Sequence, residues 1–198
     1  MTQQVQEPDF LQSPTPSTDA EKKNPLTPGT IFLLVALVLF ISILALQLFR
    51  QKQTQPVAGD RAPQFEVTAY DGEVYNLEEL RGQIVILNVW ANWCPPCHQE
   101  APDFQAIHED YQDSGVVVLG VNWLDIDSEA FEFIDRYDIT YPNAPDLGER
   151  VYETYNVEGL PETWVIDPDG VVRAFYIGGT NYDALASVLD ELLAESGS

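Results

Sequence analysis

The stretch "NVWANWCPPCHQEAP", residues 88–102, decides how the chain reads. It holds the two cysteines of the protein, Cys94 and Cys97, with only Pro95 and Pro96 between them. Such a pair is a redox couple, half of a metal site, or two thiols that merely lie close. The flanks bear on the choice. "QIVILNVW", residues 83–90, is a nearly unbroken apolar run, as expected of a central strand buried on both faces. A helix is predicted from about Pro96 to Tyr111. The cysteines therefore stand where a buried strand turns into a helix. A helix N-terminus carries unpaired N–H groups and partial positive charge, and both stabilise a thiolate. Cys94 is expected to be the exposed cysteine near the N-cap, with Pro95 and Pro96 suited to the first turn. Cys97 lies one turn in and is less accessible. This arrangement fits Cys94 as the nucleophile toward a disulfide and Cys97 as the thiol that releases the mixed disulfide.

The competing readings are weaker. Zinc takes four ligands as a rule, and the remaining candidates are His98, adjacent to Cys97, and His108, far along the helix. No metal and no organic cofactor is expected. A purely structural disulfide across so short a loop stabilises little, because the loop-closure entropy is small.

Outside this stretch, strand and helix signals alternate. "FEVTAY", Asp71-Gly72 and "EVYN" read as a hairpin, and "VVVLGVNW" as a second buried strand. "DSEAFEFIDRY" places Ala130, Phe131, Ile134 and Tyr137 on one helical face. A short helix follows in "GERVYETYN". "TWVID", Asp169-Gly170 and "VVRAFYIG" form another hairpin, and "NYDALASVLDELLAE" closes the chain as an amphipathic helix. The order implies an α/β fold, a mixed central sheet covered by helices on both faces.

At the N-terminus, residues 1–30 are rich in Gln, Pro, Ser and Thr and read as a disordered tail. Ile31 to Phe49 is a 19-residue run without charge. At about 1.5 Å per residue it nearly spans a hydrocarbon core of roughly 30 Å, and it is longer than a signal-peptide core of about 7–15 residues. It reads as an uncleaved transmembrane anchor. Residues 50–60 read as a tether, and residues 61–198 as the folded domain. Lysines and arginines flank the apolar run on both sides, so the charge rule does not set its orientation. The whole chain has 32 acidic against 9 basic side chains, a net charge of -23. Nucleic acid binding needs a basic footprint and is disfavoured.

"ILNVWANWCPPCHQEAPDF" resembles the thioredoxin superfamily, in particular its membrane-anchored branch of TlpA, ResA and CcmG (DsbE) type. The resemblance runs from about Pro56 to Glu195. "AGDRAPQFEVTAYDGEVYNLEELRGQIVILNVWANWC" is similar to that branch's hairpin extension leading into the active site. Pro102 matches the proline inside the active-site helix. "VEGLPETWVID" resembles the segment whose proline is cis and faces the disulfide, which makes Leu160 and Pro161 part of the implied docking surface. Pro161 would deny a backbone donor next to the sulfurs. Asn88 stands where thioredoxin itself has a buried, proton-shuttling Asp. An Asn cannot titrate, and it is read here as satisfying buried backbone groups. Glu100 matches the acidic residue that the branch places near its disulfide, where it would carry a proton during exchange. Trp93 is expected to shield the disulfide or contact substrate, and Trp90 to be core. Glu162 is read either as a groove residue or as a solvated loop glutamate.

Pro95 and Pro96 lack N–H groups, which removes two donors to the Cys94 sulfur and leaves those of Cys97 and His98. A less stabilised thiolate makes the pair a reductant rather than an oxidase. The resemblance implies protein disulfide substrates such as the CxxCH disulfide of apocytochrome c. It also implies electrons from a membrane thiol transporter of CcdA or DsbD kind, and a membrane-anchored chain with its tail in the cytoplasm and its domain outside. Two rival functions differ in class. A peroxiredoxin shares the "APQFEV…DG" opening, but Ala91 stands where its threonine would be. A copper-binding module finds no Met-rich stretch here, since the one Met is the first residue.

Overall fold

The computed structural model describes residues 28–50 and 55–196. The chain divides into two units, Met1–Phe49 and Arg50–Ser198. The expected tail lies outside the described residues except for 28–30, and so do 51–54 of the expected tether.

The first unit contains helix α1, Pro28–Arg50. Its stretch Pro28–Leu46 is long and apolar enough to cross a membrane. So apolar a helix is stable in lipid, where every backbone group is bonded within the helix.

The second unit is built on a five-stranded sheet. β1 (Glu66–Thr68) and β2 (Val74–Asn76) form the separate antiparallel hairpin predicted around Asp71-Gly72. β3 (Ile84–Trp90) is buried at every position and occupies the centre of the order β5-β4-β3-β6-β7. β4 (Val116–Asn122) and β5 (Asn143–Pro145) run parallel to β3, and β6 (Glu162–Ile166) and β7 (Val172–Ile177) complete the sheet antiparallel. The helices are α2 (Pro95–Tyr111), α3 (Asp127–Arg136), α4 (Arg150–Thr154) and α5 (Tyr182–Ser196).

Alternation along β3 sends Ile84, Ile86 and Trp90 into one core with α2, α3 and α5. Val85, Leu87 and Val89 enter a second core with the hairpin and α4. Gly120 in β4 is a packing requirement: a Cβ there would overlap the Asn143 side chain, whose Oδ1 accepts from Trp90 Nε1 at 2.9 Å. That contact ties the edge strand β5 to the strand that leads into the cysteine pair.

Three expectations change. Phe133, not Phe131, joins Ala130 on the buried face of α3, while Phe131 is 43 % exposed with its ring 4.9 Å from Tyr70. The spacing of 130, 133, 134 and 137 is the helical repeat that the core selects. β5 has no apolar run and was not foreseen. Residues 55–60 are bonded to the sheet rather than free, although 57–60 remain exposed. Pro56 O accepts from the buried indole of Trp164 at 2.9 Å, Gly59 N donates to Val172 O, and Val172 N donates to Asp60 O.

Candidate active site

β3 ends at Trp90, and four residues later Cys94 caps α2. Its extended backbone lets its sulfur accept from Cys97 N at 3.3 Å. Cys94 and Cys97 are joined as a disulfide with Cα atoms 5.4 Å apart. Pro95 and Pro96 fill the first two helical positions, so of the first three helical residues only Cys97 brings an N–H to the cap. Cys94 departs from its expected exposure. In the disulfide both cysteines are buried, 2 % and 1 % exposed, and belong to the core that holds Trp90 and Ala101.

Glu100 lies one turn beyond Cys97 on α2. It is 3 % exposed. Its carboxylate accepts from Asn88 Nδ2 at 2.9 Å and from Thr180 N at 3.0 Å. Burial raises its pKa from the usual range to about 7. The two donors oppose that rise, and Asp103 adds to it. Asn88 therefore does not serve backbone groups as expected. Its amide bridges Glu100 and Thr163 Oγ1, the latter at 3.0 Å, because its place on β3 faces α2.

The loop between β3 and α2 is fastened at one peptide on each side of Asn92. Asn92 N donates to Asp125 Oδ2 at 2.6 Å, and Asn92 O faces His98 Nε2 at 2.6 Å. A carbonyl only accepts, so Nε2 carries the proton and Nδ1 accepts from Tyr137 OH at 2.9 Å. His98 and Asp125 were invisible as a pair in the sequence, where the His98 side chain entered only as a candidate metal ligand and its backbone N–H as a donor to the Cys94 sulfur. Trp93 follows this loop and is 55 % exposed, with its ring 5.9 Å from that of Trp123. Trp90 is core, as expected.

The Leu160–Pro161 peptide is cis. Leu160 packs against both cores, and Pro161 is buried with its carbonyl accepting from Gly178 N at 2.9 Å. Glu162 is neither solvated nor on a loop. It is fully buried on β6, on the sheet face opposite Glu100. Its carboxylate accepts from Glu158 N, Gly159 N and Gln55 Nε2, and so braces the turn that presents Leu160 and Pro161. Pro95 is exposed and Pro96 half-buried. Among the described residues no group of three His, Cys, Asp or Glu side chains is placed to hold a metal ion.

A buried disulfide capping a helix, a cis-proline turn and a mixed sheet between helices define a thioredoxin-fold thiol-disulfide oxidoreductase. Residues 58–175 match the AhpC/TSA family, and the chain belongs to that family. The thiol-disulfide oxidoreductase ResA of Bacillus cereus (strain ZK / E33L) is 32% identical over 171 residues, 86% of this chain and 98% of that protein. ResA of Geobacillus kaustophilus is 33% identical over 158 residues, 80% and 90% of the two chains. A Chlorobium tepidum crystal structure described as a thiol:disulfide interchange protein of DsbE type is 29% identical with a TM-score of 0.64, covering 70% of this chain and 99% of its own. The protein is a thiol-disulfide oxidoreductase of ResA/DsbE type.

Proposed function

We propose that the protein reduces disulfides of extracytoplasmic proteins, with the CxxCH disulfide of apocytochrome c as its substrate class. In this reading α1 anchors the chain in the membrane, the tail is cytoplasmic and the domain lies outside. The observation that carries the direction of electron flow is the proline pair. Among the described residues the Cys94 sulfur receives a single N–H bond, from Cys97, where two further helical N–H groups would stand without Pro95 and Pro96. A thiolate with few donors is less stabilised, which favours giving electrons.

The step balances as follows. In the reduced protein the Cys94 thiolate attacks one sulfur of the substrate disulfide, forms a mixed disulfide and expels the other substrate sulfur as thiolate, which takes a proton. Cys97 loses its proton to Glu100 and attacks the Cys94 sulfur. The remaining substrate sulfur leaves and is protonated, and the Cys94–Cys97 disulfide forms. Two electrons pass to the substrate. They return from a dithiol donor, for which a membrane thiol transporter of CcdA or DsbD kind is proposed. Trp93, Pro95, Pro96, Leu160 and Pro161 line the approach in this scheme.

The test uses the reduced full-length chain in detergent with an oxidised CxxCH peptide, a control peptide of scrambled sequence and hydrogen peroxide. Stoichiometric reduction of the CxxCH peptide, one Cys94–Cys97 disulfide formed per peptide, is expected. Consumption of peroxide without peptide reduction would replace the reading with a peroxidase.

A further inference from the structure

Between the β1–β2 hairpin, α3 and the start of β5 lies a cleft of about 490 Å³ that the disulfide chemistry does not use. Its walls include the rings of Tyr70, Tyr75, Phe131 and Tyr141, with Asp71 among the lining residues. Phe131 is the residue that leaves the buried face of α3, and its half-exposed ring meets Tyr70 over this cleft. The Tyr70 hydroxyl is buried and has no hydrogen-bond partner among the described residues. A buried hydroxyl left so is destabilising, and a hydrogen-bond donor seated beside it would answer it.

The charged residue lining the cleft, Asp71, is acidic. Asp71 belongs to the hairpin turn, and Glu73 accepts from Tyr75 OH at 3.2 Å. Burial first, then Asp127 and Asp125, push the Tyr70 phenol up to about 12. None of the lining residues is basic. Aromatic faces, carboxylates and an unpartnered acceptor oxygen are together the surroundings that a desolvated cation prefers. An anion or a neutral apolar group would leave the acids and the hydroxyl unanswered.

We propose that this cleft takes the guanidinium or ammonium group of an arginine or lysine side chain on the protein whose disulfide is reduced. The substrate part of this assignment rests on the protein-disulfide reading above. The cleft is bonded through the edge strand to the strand that leads into the cysteine pair: Tyr70 N donates to Asn143 O at 2.8 Å, and Asn143 Oδ1 accepts from Trp90 Nε1. It would add a specificity contact beyond the cis-proline turn.

The probe is N-acetyl-arginine N-methylamide, compared with its neutral citrulline counterpart. Both are titrated into the oxidised full-length chain in non-ionic detergent, and binding is read from the NMR shifts of the Tyr70 and Phe131 rings. The arginine compound is expected to bind at least about fivefold tighter. Phe131→Ala and Asp71→Asn should each remove most of that preference, while Glu149→Gln at the start of α4 leaves it. Equal binding of the two compounds overturns the proposal. So does equal weakening by Asp71→Asn and Glu149→Gln, which is the signature of diffuse attraction to an acidic surface. Reduction of a small synthetic disulfide, measured on the same sample, separates the two readings. Arginine binding without reductase activity would overturn the redox function and keep the cation site. Reductase activity without arginine preference would do the reverse.

Discussion

Asn88 Nδ2 lies 2.9 Å from Glu100 Oε1, joining the central strand to the active-site helix inside the core. The amide donates to Glu100 without competing for its proton. With burial as the larger influence, Glu100 titrates at about 7, where it can both take and give a proton under ordinary conditions. If Glu100 accepts the Cys97 proton, resolution of the mixed disulfide speeds up as pH rises through about 7. Glu100→Gln should abolish that inflection and slow the resolving step by about 10²-fold while leaving the Cys94 attack nearly unchanged. Rapid-mixing kinetics on the two steps separate them. An unaltered profile removes Glu100 from the mechanism.

The same carboxyl makes stability depend on pH. Its folded pKa lies above the unfolded value, so between about 4.5 and 7 the unfolded chain releases a proton that the folded chain keeps. Stability therefore falls as pH rises across that window and levels off above it. The contribution is on the order of 3 kcal/mol. Glu100→Gln should flatten this part of the curve and be the more stable protein at pH 8, with little difference at pH 4.5. Denaturant unfolding of the oxidised protein at the two pH values checks it.

His98 and Asp125 grip the peptides on either side of Asn92, two residues before Cys94. Small misplacements at a reacting atom cost large rate factors. His98→Ala should slow formation of the mixed disulfide by about tenfold, because the loop that carries Cys94 loses one of its two fasteners. His98→Gln, whose amide can still donate to Asn92 O, should recover most of the loss. A rate that falls only in proportion to thermal stability would make the contact structural alone.

Residues 55–60 hold the back of the sheet. A chain beginning at Arg61 loses the Pro56 partner of the buried Trp164 indole, the Gln55 partner of Glu162 and the backbone bonds to Val172. Its melting temperature should lie on the order of 5–10 °C below that of a chain beginning at Gln55. Equal melting temperatures would show that this segment contributes nothing.

Much of this was legible in the sequence, and the failures have physical causes. "QIVILNVW" and "VVVLGVNW" announce central strands because burial on both faces demands unbroken apolar runs. The Cys94–Cys97 pair announces its own place because a strand precedes it and a proline-led helix follows. β5 was illegible because "NAP" has no apolar period; its buried Asn143 is satisfied by Trp90 Nε1 and Tyr141 O, contacts that no residue pattern signals. Phe131 was misplaced because two phenylalanines two residues apart satisfy a helical repeat in different ways, and only the packing against Trp90, stacked on Phe133 at 4.2 Å, decides between them. Asn92, Asp125 and Thr180 act through backbone groups or single side-chain oxygens, and no residue pattern signals such contacts. Glu162 looked like a loop residue because its partners are backbone N–H groups of the preceding turn and an amide about a hundred residues away in sequence.

The account stands or falls on the direction in which Cys94 and Cys97 pass electrons. The most direct measurement is the reduction potential of the full-length chain in detergent, equilibrated against glutathione and dithiothreitol buffers. A value below that of protein disulfide isomerase, about −180 mV, and toward the thioredoxin value of about −270 mV is expected. Pro96→Ala, which returns an N–H near the Cys94 sulfur, should raise the potential by about 30 mV. A wild-type value near that of DsbA, about −120 mV, would contradict the account and make the protein an oxidase.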